Sequence, residues 1–154
     1  MHNNLERLIK QSVPFASKQI KAQLGILYLS YCVTHQQQLL FKQYYITSQQ
    51  YNILRILRGQ YPKPANISLL QDRMLDKMSD TSRLVNRLFK MGLVTKQPNE
   101  IDKRNADVII TEKALSLLGK IDESNFENET LFHNISDEEV NQLNEIIDKL
   151  LAHV

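Results

Sequence analysis

The sequence predicts a mainly α-helical (α+β) fold, in which a helix-turn-helix is closed by a two-stranded β-hairpin and flanked by long helices. Three observations predict it. Apolar residues recur at spacings of three and four along most of the 154 residues, as they do on one face of a helix. Glycine and proline are scarce, four of each, so few positions interrupt regular structure. The helical period is lost after Gly92, where two short strand-like runs lie either side of a polar loop.

The first two helices are defined by an apolar stripe and a cap. A long helix is predicted over residues 17–42, where four side chains recur at spacings of 4, 3 and 4. They are Ile20, Leu24, Leu27 and Tyr31. Thr47 and Gln50 match a capping box, in which each side chain bonds the backbone of the other, and this box opens a second helix to about Arg58. Two prolines soon after it cannot continue the helix.

The helix-turn-helix and hairpin follow. A short helix is predicted over 68–75, and Ser79 is a plausible cap for another helix over 80–91. Gly92 then occupies the position of a left-handed C-cap. The predicted strands of the hairpin, a two-stranded wing, are 93–97 and 107–110.

Two more helices complete the chain. Thr111 is a good N-cap for a helix to about Thr130. Ser136 and Glu139 form a second capping box, which opens a last helix. The apolar side chains of that helix are expected to point inward. They are Val140, Leu143, Ile147, Leu150 and Leu151.

Length and composition indicate one globular domain. Apolar residues make up 42% and charged residues 23%, close to the average for soluble proteins. No apolar run approaches the roughly 18 residues of a membrane span, and Met1 to Lys10 lack the basic-then-apolar pattern of a secretory signal. We therefore expect a cytoplasmic protein without a membrane partner. Its one cysteine, Cys32, cannot form an intramolecular disulfide, which fits a reducing compartment.

Charge is divided unevenly along the chain. Residues 1–104 carry 16 Lys/Arg against 6 Asp/Glu, a net of +10, whereas residues 105–154 carry 3 against 11, a net of −8. A basic segment beside an acidic one indicates that the first part faces a polyanion. Chance clustering of charge is the alternative.

The predicted helix after the turn carries hydrogen-bonding side chains on its outward face. Arginine can pair bidentately with guanine and asparagine with adenine, while serine hydroxyls suit phosphates or bases. The candidates are Ser79, Asp80, Ser82, Arg83, Asn86 and Arg87. An ordinary exposed amphipathic helix would show similar residues, so this helix alone does not decide between the two interpretations.

Two motifs together resemble the MarR family. Residues 82–94, Ser-Arg-Leu-Val-Asn-Arg-Leu-Phe-Lys-Met-Gly-Leu-Val, look like the family's recognition helix running into its first wing strand. Residues 102–111 look like the family's wing signature, an Asp-x-Arg followed by an apolar strand and a threonine. The two motifs stand at the family's spacing from each other.

The resemblance implies a single MarR-like domain over 1–154, with a winged helix-turn-helix DNA-binding lobe at 47–111 and dimerisation helices at 15–45 and 112–153. It implies a sequence-specific transcription regulator that binds an inverted-repeat operator in double-stranded DNA as a homodimer. A repressor is the favoured form, and release by a small ligand is one option for its control. The alternative is a winged-helix module that binds proteins and not DNA.

The wing resembles a minor-groove reader. An arginine at a hairpin tip can enter a narrow A·T-rich minor groove, where negative potential is concentrated. Arg104 would take that role, Asp102 would hold its guanidinium as the resemblance implies, and Lys103 would meet phosphate. A solvated loop with a weak surface ion pair is the alternative for this trio.

Five residues depart from the family's usual pattern. Thr81 replaces a branched aliphatic residue, Asn86 replaces Asp, Ala114 replaces Gly, and Lys96-Gln97 replaces an arginine. None removes the chemistry of DNA binding, but they leave the operator sequence undetermined.

Aromatic residues cluster around the first two predicted helices. Because small aromatic acids bind between the helices and the DNA-binding lobe in the resembled family, Tyr28, Tyr31 and Tyr51 are candidates for an effector pocket. Simple packing in core and interface is the alternative that we favour. Cys32 and His35 lie three residues apart but lack further ligands, so we expect no metal and no cofactor. No nucleophile–base pair, phosphate-binding loop or paired carboxylates point to an enzyme.

Overall fold

The computed structural model describes residues 4–99, 106–124 and 131–152. The mainly helical α+β prediction is confirmed. In chain order the elements are α1 (Asn4–Leu8), α2 (Lys18–Gln43), α3 (Ser48–Gln60), β1 (Ala65–Asn66), α4 (Ile67–Arg73), α5 (Thr81–Lys90), β2 (Val94–Pro98), β3 (Ala106–Ile110), α6 (Glu112–Glu123) and α7 (Asp137–Leu151).

The chain forms two compact units, Met1–Gln37 and Gln38–Val154. The first unit contains α1 and most of α2. Within it, Lys21 Nζ of α2 lies 3.0 Å from Glu6 Oε1 of α1, an ion pair that joins the two helices. The second unit contains the helix-turn-helix, the strands and the last two helices.

A continuous apolar core holds the second unit together. Every element from α3 to α6 contributes to it, as do the end of α2 and the turn that follows. Fully buried side chains include Leu54 of α3, Leu70 of α4, Val85 of α5, Val108 of β3 and Leu118 of α6. Burying one such side chain stabilises the folded state by about 1.5–3 kcal/mol, so this shared core fixes how the short elements pack.

The wing is confirmed as the antiparallel pair β2–β3, with Val94 opposite Ile110 and Lys96 opposite Val108. The sheet has a third strand that we did not predict. β1 pairs antiparallel with β3 and gives the order β1-β3-β2. A strand of two residues directly after a proline is too short to show a period of two, so the sequence contains no signal for it.

Both predicted capping boxes are present. At α3, the Thr47 hydroxyl accepts a hydrogen bond from the Gln50 backbone N–H at 3.2 Å, and the Gln50 side chain accepts from the Thr47 N–H at 2.9 Å. Ser136 and Glu139 form the same reciprocal pair at α7. Hydrogen bonds from the Ser136 backbone N–H and hydroxyl lower the pKa of the Glu139 carboxyl. These reciprocal bonds satisfy backbone donors that the helix itself leaves unpaired.

Most helix boundaries lie within two residues of the prediction, and those of α4 and α6 have a clear physical reason for their difference. α4 begins one residue earlier than expected because Asn66 caps it, its side chain accepting from the Leu69 N–H at 2.8 Å. α6 ends at Glu123 rather than near Thr130. The Ser124 hydroxyl donates to the Ile121 carbonyl at 2.6 Å, and such local side-chain bonds compete with helix propagation.

Three consecutive backbone carbonyls join the end of α5 to the start of α6. Lys113 Nζ donates to the Met91 carbonyl at 2.8 Å, the Thr111 hydroxyl to Gly92 at 2.9 Å, and the Thr111 N–H to Leu93 at 3.1 Å. Gly92 has a φ of +71°, the left-handed conformation expected of its C-cap position. The turn after α5 is therefore held by the first residues of α6.

The apolar side chains of α7 do not point into the core of this chain, and that expectation is wrong. None of the residues of α7 is buried. Leu150 is 54% exposed and Leu151 60%. The stripe on α2 is similarly uncovered, with Leu27 62% exposed and Tyr31 65%. Within the residues that the structure describes, the apolar side chains of both helices are therefore left largely exposed.

Two glycines allow a matched test of backbone conformation. We expect Gly92→Ala to lower the free energy of unfolding by about 1–2 kcal/mol, because an alanine is strained at positive φ. Gly119→Ala should raise it by about 0.5–1 kcal/mol, because Gly119 lies inside α6 and nothing is within 4 Å of an added Cβ. Urea unfolding at one protein concentration measures both, and equal shifts would contradict the role of the turn.

Candidate nucleic-acid interface

The orientation of α5 is set by its buried face. Thr81, Val85 and Leu88 are buried, and the helix contacts α3, α4 and β2. Thr81 is polar, yet its hydroxyl donates to the Gln71 side-chain oxygen of α4. A buried polar group that has a hydrogen-bond partner carries little penalty. The fold therefore accommodates Thr81 in place of the branched aliphatic residue of the resembled family. The opposite face of α5 is turned to solvent.

The cap of α5 is Asp80, so the prediction of Ser79 as the cap is wrong. The Asp80 carboxylate accepts from the Arg83 backbone N–H at 3.0 Å. Ser79 instead donates its hydroxyl to Asp76 at 2.8 Å, and the Met78 N–H donates to the same carboxylate at 3.0 Å. These bonds, the Ser79 hydroxyl first, lower the pKa of Asp76. Two good capping residues in succession cannot be distinguished by type alone.

The outward face of α5 collects most of the predicted site. One open depression is lined by Asp80, Ser82, Arg83, Asn86, Arg87 and Lys90. Lys90 was not among the predicted residues, although it falls on the same face, one turn beyond Asn86. Within the part of the chain that the structure describes, neither Arg83 nor Arg87 forms an ion pair. Both arginines are exposed, and the Asp80 carboxylate in the same depression accepts from the Arg83 backbone N–H and not from a guanidinium group.

A hydrogen bond connects this face to the wing. Lys96 Nζ of β2 donates to Asn86 Oδ1 of α5 at 2.8 Å. The sequence marked both positions as departures from the resembled family, but it did not pair them. No periodicity relates two residues ten positions apart in different elements, so only the fold brings them together.

The wing-tip residues Asp102, Lys103 and Arg104 lie outside the described residues, and their roles stay predictions. The strands that lead to them are in place, with Pro98 opposite Ala106. Asn99 Nδ2 also donates to Asp107 Oδ1 at 2.8 Å.

The aromatic candidates fall in different units. Tyr28 and Tyr31 lie in the first unit, with ring centroids 6.3 Å apart, and Tyr31 stacks on His35. Tyr51 lies in the second unit, half-buried, with its ring centroid 4.2 Å from that of Phe41. Tyr51 therefore packs against the core, and an effector pocket formed by the three tyrosines stays a prediction.

The described residues contain neither a cluster of metal ligands nor a helix that could span a membrane. Among residues 4–99, 106–124 and 131–152, no three His, Cys, Asp or Glu side chains are grouped as metal ligands would be. In the same ranges, no helix combines the length and apolar character needed to cross a bilayer. Cys32 is a half-buried free thiol.

Comparison with known proteins agrees with this architecture. The sequence model of the MarR family matches residues 46–106. The HTH-type transcriptional regulator PecS of Dickeya dadantii is 27% identical over 118 residues, which cover 74% of this chain and 70% of PecS. The matched lobe contains α3 to α5 and the first wing strand, which form the surface described above.

Solved structures extend the likeness to the flanking helices. A MarR transcription factor from Planctomyces limnophilus superposes with a TM-score of 0.66 at 26% identity, covering 92% of this chain and all of the other. The organohalide-sensing regulator RdhR in its 2,4-dichlorophenol-bound form superposes at 0.78 with 18% identity, covering 94% and 88%, and shows the shared fold. In the matched lobe, in the sequence relative and in the fold, the chain is similar to the MarR family of winged helix-turn-helix transcriptional regulators.

Proposed function

We propose that this protein is a repressor that binds an inverted-repeat operator sequence-specifically as a homodimer. The observation that carries the proposal is the outward face of α5, where Arg83 and Arg87 lack ion-pair partners within the described ranges. Guanidinium groups on a helix that enters the major groove can bind guanine bidentately or bind phosphate. A module that binds only proteins would have no need of this basic stripe.

The exposed apolar stripes of α2 and α7 support the homodimer. A stripe of Leu and Ile that the described residues of the chain leave exposed is costly in water, and a second copy can cover it by two-fold symmetry. A dimer also doubles the number of base pairs that are contacted. Two recognition helices in successive major grooves require half-sites about one helical turn apart, roughly 10 bp.

The distribution of charge supports the same orientation. The acidic segment 105–154 contains α6 and α7, whereas the arginines of α5 belong to the basic segment. A DNA duplex attracts the basic segment and repels the acidic one. We propose that α7 serves dimerisation and lies away from DNA.

We also propose that a small aromatic ligand relieves repression. The regulator RdhR, which has the same fold, was solved with 2,4-dichlorophenol bound. Tyr28 and Tyr31 offer aromatic surface on the long helix of the first unit. A ligand that binds the DNA-free form more tightly would shift the protein away from its operator.

The recognition helix generates the first test. Arg83 is nearer the N-terminal end of α5, so Arg83→Ala should cost about 1–3 kcal/mol on the specific site and relax one position of it. Arg87→Ala should weaken binding to all sequences and lower the salt slope by about one. Salt titrations on upstream and random duplexes separate the two patterns. Lys120→Ala on α6 removes the same charge elsewhere, and an identical effect from it would contradict the assignment.

A second test concerns the apolar stripe of α7 and the proposed dimer. We expect the wild-type protein to sediment as a dimer at micromolar concentration and Ile147→Glu to sediment as a monomer, because the variant buries a carboxylate in the interface. Gln142→Glu introduces the same side chain on the opposite face of α7 and should leave the dimer intact. Circular dichroism checks that each variant is folded. A dimeric Ile147→Glu would contradict the role of α7.

A third test concerns the wing and the proposed role of Arg104. Arg104→Ala should weaken binding to the operator most strongly where the flanking sequence is A·T-rich, because a narrow minor groove attracts arginine. Mobility-shift titrations at physiological salt compare A·T-rich and G·C-rich flanks. Equal affinities for wild type and variant on both duplexes would remove Arg104 from the mechanism.

A further inference from the structure

Lys96 occupies a defined position between the recognition helix and the wing. Side chains two residues apart on a strand share one face, so Lys96 lies on the face of β2 from which Val94 is buried in the core. That face meets α5, and Lys96 Nζ reaches Asn86 Oδ1 at 2.8 Å. The ammonium is thereby held beside the outward face of α5, one helical turn from Arg83.

The bond to Asn86 orients the ammonium without neutralising it. An amide carries no net charge, so the pair keeps the full positive charge of Lys96. In the ranges that the structure describes, no carboxylate forms an ion pair with Lys96. A lysine ammonium has three N–H donors, of which the Asn86 oxygen uses one. Two N–H donors and the full positive charge of Lys96 therefore remain available to bind an anion.

The same bond changes what Asn86 can do. Bidentate recognition of adenine requires the amide oxygen to accept from N6 while the amide nitrogen donates to N7. Here the oxygen already accepts from Lys96, which uses one of its two lone pairs and directs that oxygen toward the wing. Asn86 is therefore better suited to fixing Lys96 than to reading a base.

We propose that Lys96 binds a DNA phosphate at the edge of the major groove and that Asn86 is the positioning residue that holds it there. The inference rests on the proposed DNA-binding function and deepens it. A helix in the major groove is flanked by the two phosphate backbones, and side chains beside the helix meet them. A compact ammonium suits a phosphate as a point charge, whereas the paired donors of arginine suit a base edge.

The test is a salt titration on two fluorescent duplexes, one with the gene's own upstream DNA and one random duplex of the same length. Lys96→Gln should lower the slope of log K against log salt by about 0.9, the value for one phosphate contact. It should weaken binding to both duplexes by the same factor, which leaves the specificity ratio unchanged. Lys120→Gln on α6 is the matched control and should change neither quantity.

Variants of Asn86 test the positioning role. Asn86→Ala should weaken both duplexes equally and add little in the Lys96→Gln background, because the two residues act as one unit. Asn86→Asp keeps an acceptor but neutralises Lys96, so it should lower the salt slope as Lys96→Gln does. A base-reading Asn86 would instead lower the specificity ratio about tenfold when replaced by alanine, and its effect would add to that of Lys96→Gln.

The outcomes separate the inference from the function on which it rests. A wild-type protein that binds neither duplex at low salt overturns both. If the wild type binds and Lys96→Gln keeps its salt slope, the phosphate contact alone is wrong. If Asn86→Ala lowers the specificity ratio, Asn86 reads a base and the positioning role is wrong.

Discussion

The packing of one face of α5 into the core is the constraint on which the rest of the structure depends. Val85 and Leu88 are fully buried, and Thr81 is buried with its hydroxyl bonded to Gln71. Because a helix has 3.6 residues per turn, fixing these three positions fixes the direction of every other side chain on α5. Arg83 and Arg87 are exposed as a consequence of that packing. The choice of side chains on the outward face of α5 thus depends on apolar contacts in the core, which DNA could not touch.

Much of this arrangement could be predicted from the sequence because it depends on local signals. The caps Thr47 and Ser136 each have their partner three residues later, and Gly92 stands where positive φ is needed. Prediction failed where two local signals competed or where none existed. Ser79 and Asp80 are both good caps, and β1 is too short for a period. The inward prediction for α7 was wrong because an amphipathic stripe identifies an apolar face but does not identify what packs against it.

The candidate site was predictable to a similar extent. The arginines of α5 follow from helical periodicity, since they are the residues left outside once the buried face is assigned. Lys96 does not follow, because its contact with Asn86 crosses from a strand to a helix and depends on the register of β2 against the core. The interpretation of Asn86 therefore changes. Its residue type suggests a side chain that reads a base, whereas its observed contact is with the ammonium group of Lys96.

The turn after α5 has a mechanical consequence. Three successive carbonyls, those of Met91, Gly92 and Leu93, are held by Thr111 and Lys113. These hydrogen bonds join the C-terminal end of α5 to the N-terminal end of α6 at a single turn. Because of these bonds, we expect a rotation of α6 to displace the C-terminal end of α5 as well. In the proposed dimer, small movements among the flanking helices would alter the separation of the two recognition helices, and DNA with its fixed helical repeat tolerates little change in that separation.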